Sequence, residues 1–239
     1  MDKPSGEAAG GSRQKVVLSW SSGKDSAWTL SMLRRDPTLE VIALATTVAE
    51  ETGRVPIHDV RAEIIAAQAR AAKLPLWTIP LPQPCPNTVY ERAFARALER
   101  AAAAGVDHWA FGDLFLQDIR VYRERLVEGS GMTPLFPLWC CPARTPELAQ
   151  EMVRGGLRAV VTCIDRARLP SSLAGAQYDE TFLAALPHGV DPCGEYGEFH
   201  TLCTAAPGFD RTLEISVTGT QVKDGYQVAD VRLRPVRGA

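Results

Sequence analysis

Val16-Val17-Leu18-Ser19-Trp20 runs straight into Ser21-Ser22-Gly23-Lys24-Asp25-Ser26, and Ser26 to Arg35 then continues with helical composition up to Pro37. The apolar run reads as a strand buried on both faces, and proline ends the helix or lies just past it. A strand that passes into a helix without a hairpin opens a parallel β-α-β unit. In open parallel sheets, ligands bind beyond the carboxyl ends of the strands. A helix N-terminus there offers unpaired N–H groups and a partial positive charge to an anion. Around it, Gly23 lets the backbone approach a ligand closely, Ser19, Ser21, Ser22 and Ser26 bring hydroxyls, and Lys24 brings a full positive charge. Asp25 brings a carboxylate that could hold a cation beside such an anion, directly or through water. The expectation is a phosphate-binding turn. The plainer alternative is an ordinary strand-to-helix turn capped by Ser22 or Asp25.

Working outward, strands and helices alternate. Val41–Thr46 reads as a second strand, Asp59–Lys73 as a helix and Leu76–Leu81 as a third apolar run. Pro80, Pro82, Pro84 and Pro86 announce a rigid loop, and Asn87 a helix running to Ala104 with Gly105 at its end. Trp109-Ala110-Phe111 reads as a fourth strand, Ile119–Glu128 as a helix, Met132–Leu138 as containing a fifth strand, Glu147–Arg154 as a helix and Leu157–Ile164 as a further strand. The expected fold is α/β: a Rossmann-like, mostly parallel sheet with helices on both faces. Past Asp165 the rhythm changes. Arg168–Ser172 is loop-like and Gln177–Leu186 helical, while Leu213–Val217 and Gln227–Leu233 read as antiparallel strands around an Asp224-Gly225 turn. The expected organisation is a disordered leader over 1–15, a nucleotide-binding part over 16–165 and a smaller α+β part over 166–239.

The chain of 239 residues is 46% apolar, with 26 basic and 28 acidic side chains and a net charge of −2. That balance argues against a nucleic-acid or membrane-surface partner. No apolar run approaches the roughly 20 residues of a membrane helix, and the polar leader lacks a signal-peptide core. Six cysteines without a C-x-x-C pair suggest reduced thiols and a cytoplasmic location.

A Walker A loop would need an earlier glycine, and no G-x-G-x-x-G follows the strand. Ser21–Ser26 instead resembles the S-G-G-K-D-S signature of the PP-loop ATP pyrophosphatases, with Ser22 where that family usually has glycine. Serine would bear a cost there if φ were positive. Far downstream, Cys193-Gly194-Glu195-Tyr196-Gly197-Glu198-Phe199-His200-Thr201 resembles the C-G-E-x-G-E-[FY]-[HE]-T signature of the diphthine–ammonia ligase family within that group. Gly112 after the fourth strand, Arg120 with Glu124, and Pro137-Leu138-Trp139 match further family elements, although Tyr122 replaces a second arginine.

The resemblance implies ATP and Mg²⁺ as cofactors, with pyrophosphate leaving, a carboxylate becoming an acyl adenylate, and ammonia or an amine attacking it. The acceptor carboxylate is a small molecule or is carried on a protein. It places adenine near Ala45 and Thr46. Lys24, Glu195, Glu198 and His200 are candidate catalytic groups, and Asp113, Arg120, Cys193, Gly194 and Gly197 join the two glutamates as candidate substrate contacts. From the residues alone, Glu195 and Glu198 could equally orient an amine, bind a metal or accept local backbone hydrogen bonds, and His200 could relay a proton. Arg123 reads equally as a clamp or a solvated side chain. Two other functions are open: sulfur transfer through Cys140, Cys141 and Cys193, and a non-catalytic ATP-binding module. A homodimer is compatible with the sequence.

Overall fold

Val16 and Leu18 point into one apolar cluster and Val17 into another, so the first strand is buried on both faces. The computed structural model describes residues 12–55 and 60–234, so most of the expected leader lies outside the described residues. In chain order the elements are β1 (Gln14–Ser19), α1 (Lys24–Leu33), β2 (Leu39–Ala49), β3 (Arg54–Val55), β4 (Val60–Arg61), α2 (Ala62–Ala72), β5 (Leu76–Leu81), α3 (Asn87–Ala103) and β6 (His108–Ala110). There follow α4 (Gln117–Val127), β7 (Thr133–Leu135), α5 (Thr145–Arg154), β8 (Arg158–Asp165), α6 (Glu180–Ala185), β9 (Phe199–Ala205), β10 (Ile215–Lys223) and β11 (Tyr226–Leu233).

The first sheet has the order β5-β2-β1-β6-β7 and every pairing in it is parallel. Pro80 is tolerated because β5 is an edge strand with a free side for a residue lacking an N–H. Ala27 and Leu30 of α1 and Ile64 and Ile65 of α2 pack on one face. Phe94 and Leu98 of α3, with Val127 at the end of α4, cover the other. This is a parallel sheet wound in both directions from β1, in the manner of a Rossmann-like fold.

The second sheet has the order β10-β11-β8-β9 and its pairings are antiparallel. Two expectations are corrected here. The strand read at Leu157–Ile164 belongs to this sheet and not to the parallel one, because its partners β9 and β11 arrive from further along the chain. Apolar periodicity reports burial and says nothing about which strand lies alongside. The two glycines and two carboxylates of the downstream motif lead one to expect a tight polar loop throughout, but from Phe199 onward the chain is β9, and Leu202 and Cys203 in it are fully buried. The Asp224-Gly225 turn is as expected: both residues have positive φ, 50° and 86°, which gives the twist a tight hairpin needs. Among the described residues no helix is long and apolar enough to cross a membrane.

Candidate functional site

β2 lies on one side of β1 and β6 on the other, so the chain leaves their carboxyl ends in opposite directions and a crevice opens between. A cavity of about 830 Å³ occupies that place. Its lining includes Ser19, Ser21, Lys24, Asp25 and Ser26 from the turn after β1, Ala45 from β2, and Gly112 and Asp113 after β6. Cys193, Gly194, Glu195, Gly197 and His200 close it from the downstream motif. Two segments separated by more than 160 residues therefore share one cleft.

The turn is built around Ser22. Its φ is 71°, the left-handed region that disfavours an L-residue. Its side chain is fully buried, with the hydroxyl unpaired. The backbone carbonyl of Ser22 is held twice, by the Cys203 N–H at 2.9 Å and by Gln68 Nε2 at 2.9 Å. Gly23 then starts α1 with extended backbone and no side-chain cap, so neither Ser22 nor Asp25 caps the helix. Ser26 Oγ donates to the Gly23 carbonyl at 3.0 Å, and Ser21 Oγ donates to Ser26 Oγ at 3.2 Å. The Lys24 N–H goes to Thr201 Oγ1 at 3.1 Å. Gly112 passes so close to this mouth that a Cβ on it would lie 3.2 Å from the Ser26 nitrogen and 3.3 Å from the Asp25 carbonyl carbon.

The Lys24 ammonium is 2% exposed. It donates to Asp25 Oδ2 at 2.9 Å and to the carbonyl of Cys193, and sits 5.6 and 5.5 Å from the ring centres of Tyr178 and Phe199. An ammonium has three donors, so these contacts leave one for a ligand. Burial opposes its charge, but Asp25 and the other nearby acids outweigh that and raise its pKa. Asp25 is raised in turn, by burial first, with Lys24 pulling the other way, and its Oδ1 has no hydrogen-bond partner.

Glu195 accepts the Leu114 N–H at 2.8 Å through Oε1, and its own N–H donates to Asp191 Oδ2 at 2.8 Å. Burial pushes its carboxyl up to about 7, against the Leu114 bond, with Asp25 and Asp113 adding to the rise. Burial and the Lys24 charge hold His200 down to about 4, so its imidazole is neutral near pH 7. Asp113 is raised by burial and lowered by Arg123, whose Nε lies 3.4 Å away. Arg123 also donates to the Tyr90 hydroxyl at 3.0 Å and lies 5.3 Å from the ring centre of Phe111.

Not every expected residue faces the cleft. Ser22 and Gly23 are not among its lining residues, and their hydrogen bonds are made by the backbone. Thr46 points into the protein, and the neighbours that share a strand face, Ala45 and Thr47, line the cavity instead. Arg120 lies between Phe136 and Trp139, 4.9 and 4.7 Å from their ring centres, and pairs with Glu124 at 2.8 Å. Glu198 is fully buried; its Oε1 accepts the Asp191 N–H at 3.1 Å and lies 3.3 Å from Arg168 Nη1. Cys140, Cys141 and Cys193 are free thiols. Burial raises the Cys193 thiol far above its ordinary value, and Cys140 is raised for the same reason. Gln68 and Tyr90 were not among the expected site residues, and Thr201 entered only as the last residue of the downstream motif. Gln68 left a signal of its own: it is a polar residue on the apolar face that Ile64, Ile65, Ala69 and Ala72 define.

The class that fold and site define is an α/β protein with a cleft at the switch point of a five-stranded parallel sheet. No family model matches the chain, and no curated protein matches it.

Proposed function

We propose that this protein binds ATP with magnesium at the turn after β1, in the PP-loop manner, and joins a carboxylate to ammonia or an amine with release of AMP and pyrophosphate. The reading rests above all on one observation: the uncapped start of α1 opens at the sheet's switch point, with Gly112 pressed against the Ser26 nitrogen where a side chain would obstruct it. Backbone N–H groups at such a helix mouth stabilise phosphate charge, and more so as pyrophosphate departs. The fit to magnesium is through Asp25, whose Oδ1 is without a partner. Magnesium characteristically takes one or two protein carboxylates and completes its shell with phosphates and water. Bound there, it would neutralise developing phosphate charge.

Ala45 and Thr47 at the end of β2, with Ile79 of β5, offer an apolar wall for a base. Glu195, titrating near 7, is suited to take a proton from an ammonium nucleophile and release a neutral amine. The raised thiols of Cys140 and Cys193 weigh against sulfur transfer, which uses a thiolate. The test is product analysis: ATP labelled at the α and γ positions is incubated with magnesium, ammonium and a panel of carboxylates. Labelled AMP and pyrophosphate are expected; ADP with phosphate would overturn the reading.

A further inference from the structure

Gln68 sits on α2, fully buried, with both ends of its amide hydrogen-bonded. Its Oε1 accepts the Trp20 indole N–H at 2.9 Å, and its Nε2 donates to the carbonyls of Ser22 at 2.9 Å and Cys203 at 2.7 Å. A side-chain amide can make four hydrogen bonds; three are made, all within one knot that joins the phosphate-type turn, α2 and β9. The other buried positions of α2 are isoleucine and alanine, so the amide answers the polar groups of the knot and not the packing of the helix.

The orientation of one peptide unit gives the amide its function. In a trans peptide the C=O of one residue and the N–H of the next point in opposite directions. The Ser22 carbonyl is drawn inward by Gln68 and by the Cys203 N–H, so the Gly23 N–H is turned outward. There it donates to Ser21 Oγ at 3.4 Å, a long bond to a side chain that itself lines the cleft. If this unit flipped, a carbonyl would face the phosphates and the donor would be lost. Ser22 at φ 71° has a standing tendency to leave that conformation. The Cys203 bond alone provides one anchor; Gln68 provides the second, and Trp20 fixes which way its amide faces.

We propose that Gln68 is a positioning residue for the nucleotide: it locks the Ser22–Gly23 peptide so that its N–H faces the phosphates. This rests on the ATP reading above and adds the device that shapes the turn.

The experiment measures the ATP–magnesium dissociation constant by calorimetry on wild type, Gln68→Leu, Trp20→Phe and the double variant Gln68→Leu/Ser22→Gly. Circular dichroism fixes a temperature at which each is folded. Gln68→Leu is expected to weaken ATP by roughly 10- to 100-fold, the effect of one or two lost hydrogen bonds, and Trp20→Phe by less. Glycine at 22 takes the left-handed conformation freely, so the double variant is expected to regain much of the affinity. If Gln68→Leu does not fold, the Trp20→Phe loss decides. Wild-type affinity in the folded variants, or no recovery with glycine, would overturn the positioning role and leave Gln68 a core residue. Absence of ATP binding by wild type would instead overturn the nucleotide reading itself.

Discussion

The ammonium of Lys24 donates to the main-chain carbonyl of Cys193, 169 positions further along the chain. That bond ties the two sequence signatures into one cleft. It also directs most of the lysine's hydrogen-bonding capacity into the protein and away from a ligand. Lys24 therefore holds the cleft together as well as charging it.

Replacing Lys24 with alanine is expected to damage both stability and activity. The Asp25 carboxylate would lose its counter-charge in a site where its side chain is 27% exposed. Partial exposure keeps the cost below that of a sealed pair, about 2–3 kcal/mol, readable by urea denaturation. ATP turnover should fall roughly 10- to 1000-fold. Wild-type turnover in this variant would contradict a phosphate role for the turn.

Ser22→Gly is expected to stabilise the protein. Glycine removes the left-handed penalty of about 1–2 kcal/mol and a buried unpaired hydroxyl, offset in part by the greater freedom of glycine in the unfolded chain. The net gain should raise Tm by about 2–4 °C for a chain of this size, measured by thermal unfolding. A fall in Tm would show that the serine side chain contributes something the backbone conformation does not reveal.

Gly112→Ala should do the opposite at the other wall of the helix mouth. The new methyl would lie 3.2 Å from the Ser26 nitrogen, and a neighbour that is backbone cannot rotate away. Overpacking of this kind costs about 1–3 kcal/mol, and ATP affinity should drop about tenfold as the first turn of α1 shifts. Calorimetric titration with ATP and magnesium checks it.

Glu195 supplies a pH signature. Its folded pKa, about 7, lies above the ordinary carboxyl value of 4.5. The folded state therefore binds the extra proton between those values. The stability this gives is full below about pH 4.5 and is lost as pH rises through 7. Glu195→Gln, which keeps an oxygen for the Leu114 N–H, should therefore exceed wild type in stability by about 2–3 kcal/mol at pH 8 and by much less at pH 4.5. Wild-type turnover should rise with pH through about 7 as the base deprotonates, and the variant should lose that rise. Denaturation curves and pH–rate profiles read both effects.

Arg120 packs on Phe136 and Trp139 and is not among the residues lining the cleft. Arg120→Ala should leave ATP affinity and turnover within about twofold of wild type. It should cost about 1 kcal/mol through lost ring contacts and the pair with Glu124. A large loss of turnover would show that the side chain reaches the acceptor.

Much of this was legible in the chain. Val16–Trp20 followed by the Ser21–Ser26 turn pointed to the parallel sheet and to a turn that opens on its cleft, because local apolar runs and helix starts are short-range properties. The cost anticipated for a serine at position 22 follows from backbone sterics alone, and the positive φ there accords with it. Of the two β2 residues expected at the cleft, Ala45 lines it and Thr46 does not, since successive residues of a strand face opposite ways and burial gives both faces similar letters. Arg120 and Glu198 read as site residues because spacing in sequence carries no direction.

What the amino-acid order determined by itself was the set of elements near each apolar run and the chemical types available at the turn. Tertiary structure alone decided that β8 leaves the parallel sheet, that Lys24 faces Cys193, and that Gln68 reaches the Ser22 carbonyl. Those are pairings between distant segments, fixed when burial forces every polar group to find a partner, and no local pattern encodes which partner that will be.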